Sequence, residues 1–252
     1  MIFAAGLGTR LKPLTDTMPK ALVPLSGKPL LQWQVEKLRD AGINDIIVNV
    51  HHFPDQIIDT IRQNEGWGTN IAISDERDLL LDTRGGLKKA VTGYRLQVTG
   101  EPILACNVDI LSNIDIMALI ARYEESGVSQ LVVSERQTQR YLCFDDHDYL
   151  RGWTNIKTGE VRPENFKFLI PKERLFQISN FKLLAFSGMQ ILSPKVLKLL
   201  QQMPLNKFSL IDFYISICEK QFSILKAFIP SDYKMMDVGK IEQIKEAEQF
   251  AD

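Results

Sequence analysis

Apolar residues recur along this chain in two alternating rhythms. Runs of strand length at 2–5, 46–50, 70–74 and 102–109 alternate with stretches whose apolar positions return every three or four residues, as on one face of a helix. Leu30, Leu31, Trp33, Gln34, Val35 and Leu38 predict a first helix, with Pro29 near its first turn and Gly42 just past its end. Pro54 opens a second helix, with Ile57, Ile58 and Ile61 on one side. Strand followed by helix, repeated, predicts a parallel sheet covered on both faces.

Further along, Leu81-Asp82-Thr83-Arg84-Gly85-Gly86 reads as a glycine turn feeding a short helix. A strand ending at Asp109, a helix over 115–125 and a strand over 131–135 complete the wound core. Residues 142–153 then read as a hairpin turning at Asp145-Asp146-His147-Asp148. The polar, irregular stretch 152–180 predicts an insertion that forms the lid or floor of a second pocket. Residues 183–192 are strand-like, helices follow near Pro194 and Ser209, and a strand over 222–228 and the segment 235–239 precede a terminal helix.

Composition narrows the possibilities. The 252 residues fit one large α/β domain without a linker or repeat, and 45% hydrophobic residues supply a sizeable core. A formal net charge of −1 with 24% charged residues argues against disorder and against a broad nucleic-acid surface, so any phosphate affinity is local. No apolar run has the length of a membrane span and no basic leader precedes one, which predicts a cytoplasmic protein without a membrane partner. Cys106, Cys143 and Cys218 sit among apolar neighbours and read as buried thiols, and His51, His52 and His147 lack metal-ligand spacing.

Candidate chemistry concentrates at the start. Ala4-Ala5-Gly6-Leu7-Gly8-Thr9-Arg10 follows the first strand, and its glycines let backbone N–H groups turn toward phosphate oxygens. A P-loop would end in Gly-Lys-Ser/Thr, whereas this loop ends in Gly8-Thr9-Arg10. A dinucleotide fingerprint needs a third small residue and an immediate helix, but Leu11 fills that place and Pro13 biases Lys12 away from helical dihedrals. The loop is expected to run on as an extended arm. Asp109, at a strand end, is placed either to hold a divalent cation or to cap the following helix. Asp237 by itself reads as a solvated turn residue, and Arg84 as a surface cation pointing to solvent, or as one that alters the turn or adds a phosphate contact.

The segment 6–15, with Met18-Pro19-Lys20-Ala21-Leu22 and Lys28-Pro29 behind it, resembles the pyrophosphorylase signature of the sugar-phosphate nucleotidyltransferases, the NTP_transferase family. Among the members, the compact length, the Ala-Ala-Gly opening, Asp82-Thr83-x-Gly85-Gly86 and Asn107-x-Asp109 are most like the small N-acetylmuramate-1-phosphate uridylyltransferases. Relatives carry one or two more residues before the first strand. The resemblance implies a Rossmann-like, GT-A-like three-layer α/β/α fold with a mixed, mostly parallel sheet and a substrate-binding insertion. It divides one domain into a nucleotide-binding half (1–135), a sugar-phosphate half (136–235) and a closing strand end and helix (236–252).

It also implies transfer of a nucleotidyl group from an NTP, with UTP favoured, to a sugar 1-phosphate, with release of pyrophosphate. Arg10 and Lys20 are the expected catalytic residues. The nucleotide would be held by Ala4, Ala5, Gly6, Gly8, Thr9, Arg10, Lys20, Thr83, Gly85 and Asp109. Mg²⁺ would sit on Asp109 and Asp237, the latter in Met235-Met236-Asp237-Val238-Gly239, where Lys240 replaces the usual Thr. Asn107, Gly152, Phe186, Ser187 and Gly188 match sugar-phosphate-binding positions, although Phe186 also reads as ordinary core and strand glycines as close packing. Alternatives are phosphocholine cytidylyltransfer, mannose- or heptose-1-phosphate guanylyltransfer, and a non-catalytic nucleotide-sugar-binding subunit. The expected assembly is a monomer or homodimer.

Overall fold

The shortest strand lies at the centre of the sheet. In the computed structural model, which describes residues 1–93, 100–164, 181–204, 209–220 and 223–251, β1 (Ile2–Phe3) runs parallel to β4 (Asp45–Val50) on one side and β6 (Ile103–Asn107) on the other. β5 (Asn70–Asp75) adds a parallel outer strand to β4, while β2 (Pro24–Leu25) and β3 (Lys28–Pro29) form a separate ribbon. These strands are apolar on both faces because both are covered: Ile2, Ile46 and Val48 enter one core cluster, and Met1, Phe3 and Ala105 enter the other.

Helices α1 (Leu30–Asp40), α2 (Pro54–Gln63), α4 (Ile116–Ser126) and α7 (Ile241–Ala251) contribute to the first cluster. Helices α3 (Asp82–Gly93), α5 (Pro194–Gln202) and α6 (Leu210–Lys220) contribute to the second. This is the expected three-layer arrangement. The amphipathic spacing of α1 ends as predicted, with Pro29 ahead of the first turn and Gly42 at φ +81° after the last. Asp115 caps α4 by accepting the Ala118 N–H at 3.0 Å.

Mixed pairing begins beyond β6. The long strand β12 (Lys182–Leu192) runs antiparallel to β6, takes β8 (Ser129–Ser134) on the opposite edge, and pairs at its start with β9 (Arg140–Phe144). β9 and β10 (Leu150–Asn155) form the predicted hairpin, extended by β11 (Glu160–Arg162), and β13 (Leu225–Phe228) lies parallel to β8. A short ribbon of β7 (Ile110–Ser112) and β14 (Met235–Asp237) closes over the end of β6.

Three sequence expectations change. The loop after β1 is no extended arm: it winds through 3-10 turns at Thr9–Leu11, Leu14–Asp16 and Lys20–Leu22, because the Gly8 carbonyl accepts from both the Leu11 N–H and Thr15 Oγ1 at 2.8 Å. Gly85 and Gly86 form no turn but lie inside α3, where Gly86 permits close packing against Asn49 and Glu76. The stretch expected to be irregular begins as regular structure, in β10 and β11, and 165–180 lie outside the described residues, as does residue 222 of the expected last strand.

Candidate active site

Between the carboxyl ends of β1 and β6 opens a cavity of about 330 Å³, lined by Phe3, Ala4, Ala5, Gly6, Gly8, Thr9, Arg10, Lys20, Asn49, Leu80, Asp82, Thr83, Asn107, Val108, Asp109 and Gly239. Strand carboxyl ends are where α/β sheets bind ligands. Gly8 has φ +64°, and a Cβ there would lie 2.8 Å from Thr15 Cγ2. A side chain at that position would be strained in backbone and space alike. Gly6 meets nothing within 4 Å, so its lack of a side chain leaves the cavity open rather than making a bend.

Lys20 reaches across to Asp109 and forms an ion pair with it, the two side chains 11% and 18% exposed. Asp237 approaches from the neighbouring ribbon, because the Val238 N–H donates to the Asp109 carbonyl at 2.8 Å. Arg10 Nη2 stands 3.9 Å from Asp237 Oδ2. Burial pushes the Asp237 carboxyl up, the Asp109 charge adds to this, and Lys20, Arg10 and Arg136 pull it down. Gly239 is what allows this approach: a Cβ there would lie 2.6 Å from both Arg10 Nη2 and Asp237 Oδ1.

The donor set suits a hard divalent cation. Asp237 Oδ1 is buried without a hydrogen-bond partner among the described residues, and the Asp109 charge raises the proton affinity of Asp237. No cluster of three or more His, Cys, Asp or Glu suited to a metal exists among the described residues. A cation held by Asp109 and Asp237 would therefore draw its other ligands from phosphate and water, as Mg²⁺ commonly does.

Most of the residues singled out from the sequence meet here, but four groups do not fit as expected. Gly85 is buried inside α3 and does not line the cavity. Gly152 lies in β10, with β9 between it and β12, and does not line the cavity. Ala4 lines the cavity, yet its N–H already donates to Asn49 Oδ1 at 2.8 Å and is not available to a base. Arg84 is no solvent-facing cation: it is 3% exposed and donates to the Pro204 carbonyl at 3.5 Å, and burial pulls its guanidinium pKa down.

Phe186, Ser187 and Gly188 sit where the pairing of β12 with β8 shifts register and do not themselves line the cavity. A Cβ on Gly188 would lie 3.0 Å from Asn107 Nδ2 and from Ile110 Cγ1, so β12 and the β6 end touch here. Phe186 also packs partly into the second core cluster.

Sequence reading missed a buried polar chain under the loop. Asn49 passes from the Ala4 N–H to Glu76 Oε1, which it reaches through Nδ2 at 2.8 Å, and Glu76 is 1% exposed. A Cβ on Gly86 would lie 2.5 Å from Glu76 Oε1, so the glycine gives this pair its room. Asn49 was detectable as the polar residue within the apolar run 46–50.

A larger cavity of about 1170 Å³ lies at the amino ends of the strands, lined by Asp45, Glu65, Glu101 and Glu124 with Arg62 as the basic side chain. Its acidic rim disfavours a phosphate-rich ligand, so the smaller cavity is the better candidate.

The segment after β1 thus sets Arg10 and Lys20 against Asp237 and Asp109 at the strand ends of an α/β sheet. The chain belongs to the nucleotidyl transferase family, whose model matches residues 1–252. It is 41% identical over 118 residues to N-acetylmuramate alpha-1-phosphate uridylyltransferase of Neisseria meningitidis serogroup B, covering 47% of this chain and 49% of that protein. It is also 28% identical over 243 residues to mannose-1-phosphate guanyltransferase of Saccharomyces cerevisiae, covering 95% of this chain and 61% of that protein. The chain thus spans about half the length of the uridylyltransferase it matches. Its fold resembles that of HddC from Yersinia pseudotuberculosis complexed with GMP-PN, at TM-score 0.72 and 24% identity, covering 100% of this chain and 98% of that one.

Proposed function

We propose that this protein transfers a nucleotidyl group from a nucleoside triphosphate, UTP in our assignment, to a sugar 1-phosphate, forming an NDP-sugar and pyrophosphate. The observation that carries the reading is the convergence of Lys20, Arg10, Asp109 and Asp237 on one strand-end crevice behind a glycine loop. An oxygen of the acceptor phosphate forms a bond to the α-phosphorus, and the bond from that phosphorus to the β-bridging oxygen breaks with its electron pair leaving on pyrophosphate. The attacking phosphate is already anionic, so no protein nucleophile or general base is required.

The work of the site is electrostatic and positional. Arg10 and the loop amides receive the pyrophosphate charge, and Lys20 turns from Asp109 to the α-phosphate and the incoming phosphate. Asp109 and Asp237 would hold Mg²⁺, which when bound screens the triphosphate and polarises its oxygens. Thr83 and the Ala5–Gly6 backbone form the wall expected to meet the base. The assignment of UTP rests on the uridylyltransferase likeness, which is higher in identity than the guanyltransferase one.

The test is pyrophosphate release from each of the four common NTPs with N-acetylmuramic acid, glucose and mannose 1-phosphates and phosphocholine, with Mg²⁺ present. Turnover with UTP and a sugar 1-phosphate is expected. Activity confined to CTP or GTP overturns the base, and tight binding without turnover points to a regulatory subunit.

A further inference from the structure

A second arginine is anchored to β12, whose Gly188 packs against the cavity residue Asn107, and has no part in the nucleotide loop. Arg136 is exposed in the segment joining β8 to β9, and its Nη2 donates to the Phe186 carbonyl at 3.0 Å. That one contact with a neutral oxygen is its hydrogen bond among the described residues, leaving most of the five guanidinium N–H donors to a ligand. Phe186 opens the irregular stretch of β12 that brings Gly188 against Asn107, next to the end of β6.

The charge of Arg136 is felt on the far side of this gap. Burial and Asp109 push Asp237 up, while Arg136 acts with Lys20 and Arg10 to pull it down. Tyr233, four residues before Asp237, is pushed up by burial, and the nearness of Ser187, Ser112 and Arg136 opposes this. Arg136 is held to β12 by the Phe186 carbonyl, whereas Arg10 reaches Asp237 from the loop after β1.

We propose that Arg136 binds the phosphate of the acceptor substrate, a phosphate monoester dianion, and holds it beside Asp109 and Asp237. This rests on the nucleotidyl-transfer reading above. The planar guanidinium suits two phosphate oxygens at once, and its anchor on the Phe186 carbonyl fixes the plane before the ligand arrives. Arg10 and Arg136 then divide the phosphates between them: the departing pyrophosphate goes to the first and the incoming phosphate to the second.

Steady-state kinetics of the wild type, Arg136→Ala and Arg136→Lys, with NTP and acceptor varied separately, provide the test. Arg136→Ala is expected to raise the acceptor KM about tenfold or more while the NTP KM stays within about twofold, since a charge-assisted contact is lost from one substrate. Arg136→Lys restores part of the loss. An unchanged acceptor KM, or an equal rise in both KM values, overturns the assignment. If no substrate pair turns over, the functional reading fails separately, and calorimetry with inorganic phosphate then reads the residue. Weaker phosphate binding in Arg136→Ala supports the site, and equal binding in both proteins overturns it.

Discussion

Lys20 and Asp109, 89 residues apart in the chain, are joined in a mostly buried ion pair that ties the glycine loop to the end of β6. Neither side chain is a passive surface charge. Lys20 neutralises one of two neighbouring carboxylates, and the Asp109 charge still raises the proton affinity of Asp237. A ligand that draws Lys20 toward phosphate changes the balance of charge around both aspartates.

The chain Ala4–Asn49–Glu76 should show itself in the pH dependence of stability. Burial raises the Glu76 pKa above its ordinary value of 4.5, against the lowering effects of Asn49, Leu81, Lys89 and His51. The folded protein then binds this proton more tightly than the unfolded chain does, so the Glu76 contribution is favourable at low pH and is lost as pH rises through the folded pKa. The Tm of wild type minus that of Glu76→Gln should therefore fall, through zero if need be, as pH rises above 4.5. A wild-type Tm that rises relative to the variant over that range contradicts the assignment.

Two glycines should separate stability from activity. Gly86→Ala forces a methyl against the buried Glu76 and Asn49 at 2.5 and 2.8 Å, and thermal unfolding should show a loss of about 1–3 kcal/mol, the usual range for overpacking. Gly239→Ala meets the end of Arg10, which is 57% exposed and can move, as well as Asp237 Oδ1. Its Tm should stay close to wild type while turnover falls by up to about 10², the scale of an ångström-sized misplacement.

Burial pushes the Cys106 thiol up to about 11 and those of Cys143 and Cys218 up to about 12. None should react with a disulfide reagent at about pH 8 while the protein is folded, because the thiolate is the reactive form. All three should react once the chain is unfolded. Rapid labelling of the folded protein counts against the packing described here.

Legibility in the sequence followed local physics. The periodicity of Leu31, Val35 and Leu38, and the unbroken apolar run at 46–50, report their own elements because both depend on near neighbours. Gly85 and Gly86 misled for the opposite reason. Glycine spacing signals a turn locally, but at Gly86 the missing side chain makes room for Glu76 and Asn49, which arrive from other segments. Arg84 looked exposed by its type and is buried because the carbonyl of Pro204 and the nearby Asp212 stand over it. Arg10, Lys20 and Asp109 were found through the family signature, whereas the role of Gly239 and the reach of Arg136 depend on contacts between distant segments.

The most direct test is the rate of pyrophosphate release with saturating NTP, sugar 1-phosphate and Mg²⁺ in wild type, Lys20→Ala and Asp109→Asn. The wild type should require both substrates, and each variant should lose about 10²–10³ in turnover, the typical cost of removing one group that stabilises transition-state charge. Because the pair retains some exposure, the variants should lose less than the about 3–5 kcal/mol of stability expected when a fully buried pair is broken on one side. Folded variants that turn over at near-wild-type rates would contradict the placement of this ion pair at the reacting phosphates.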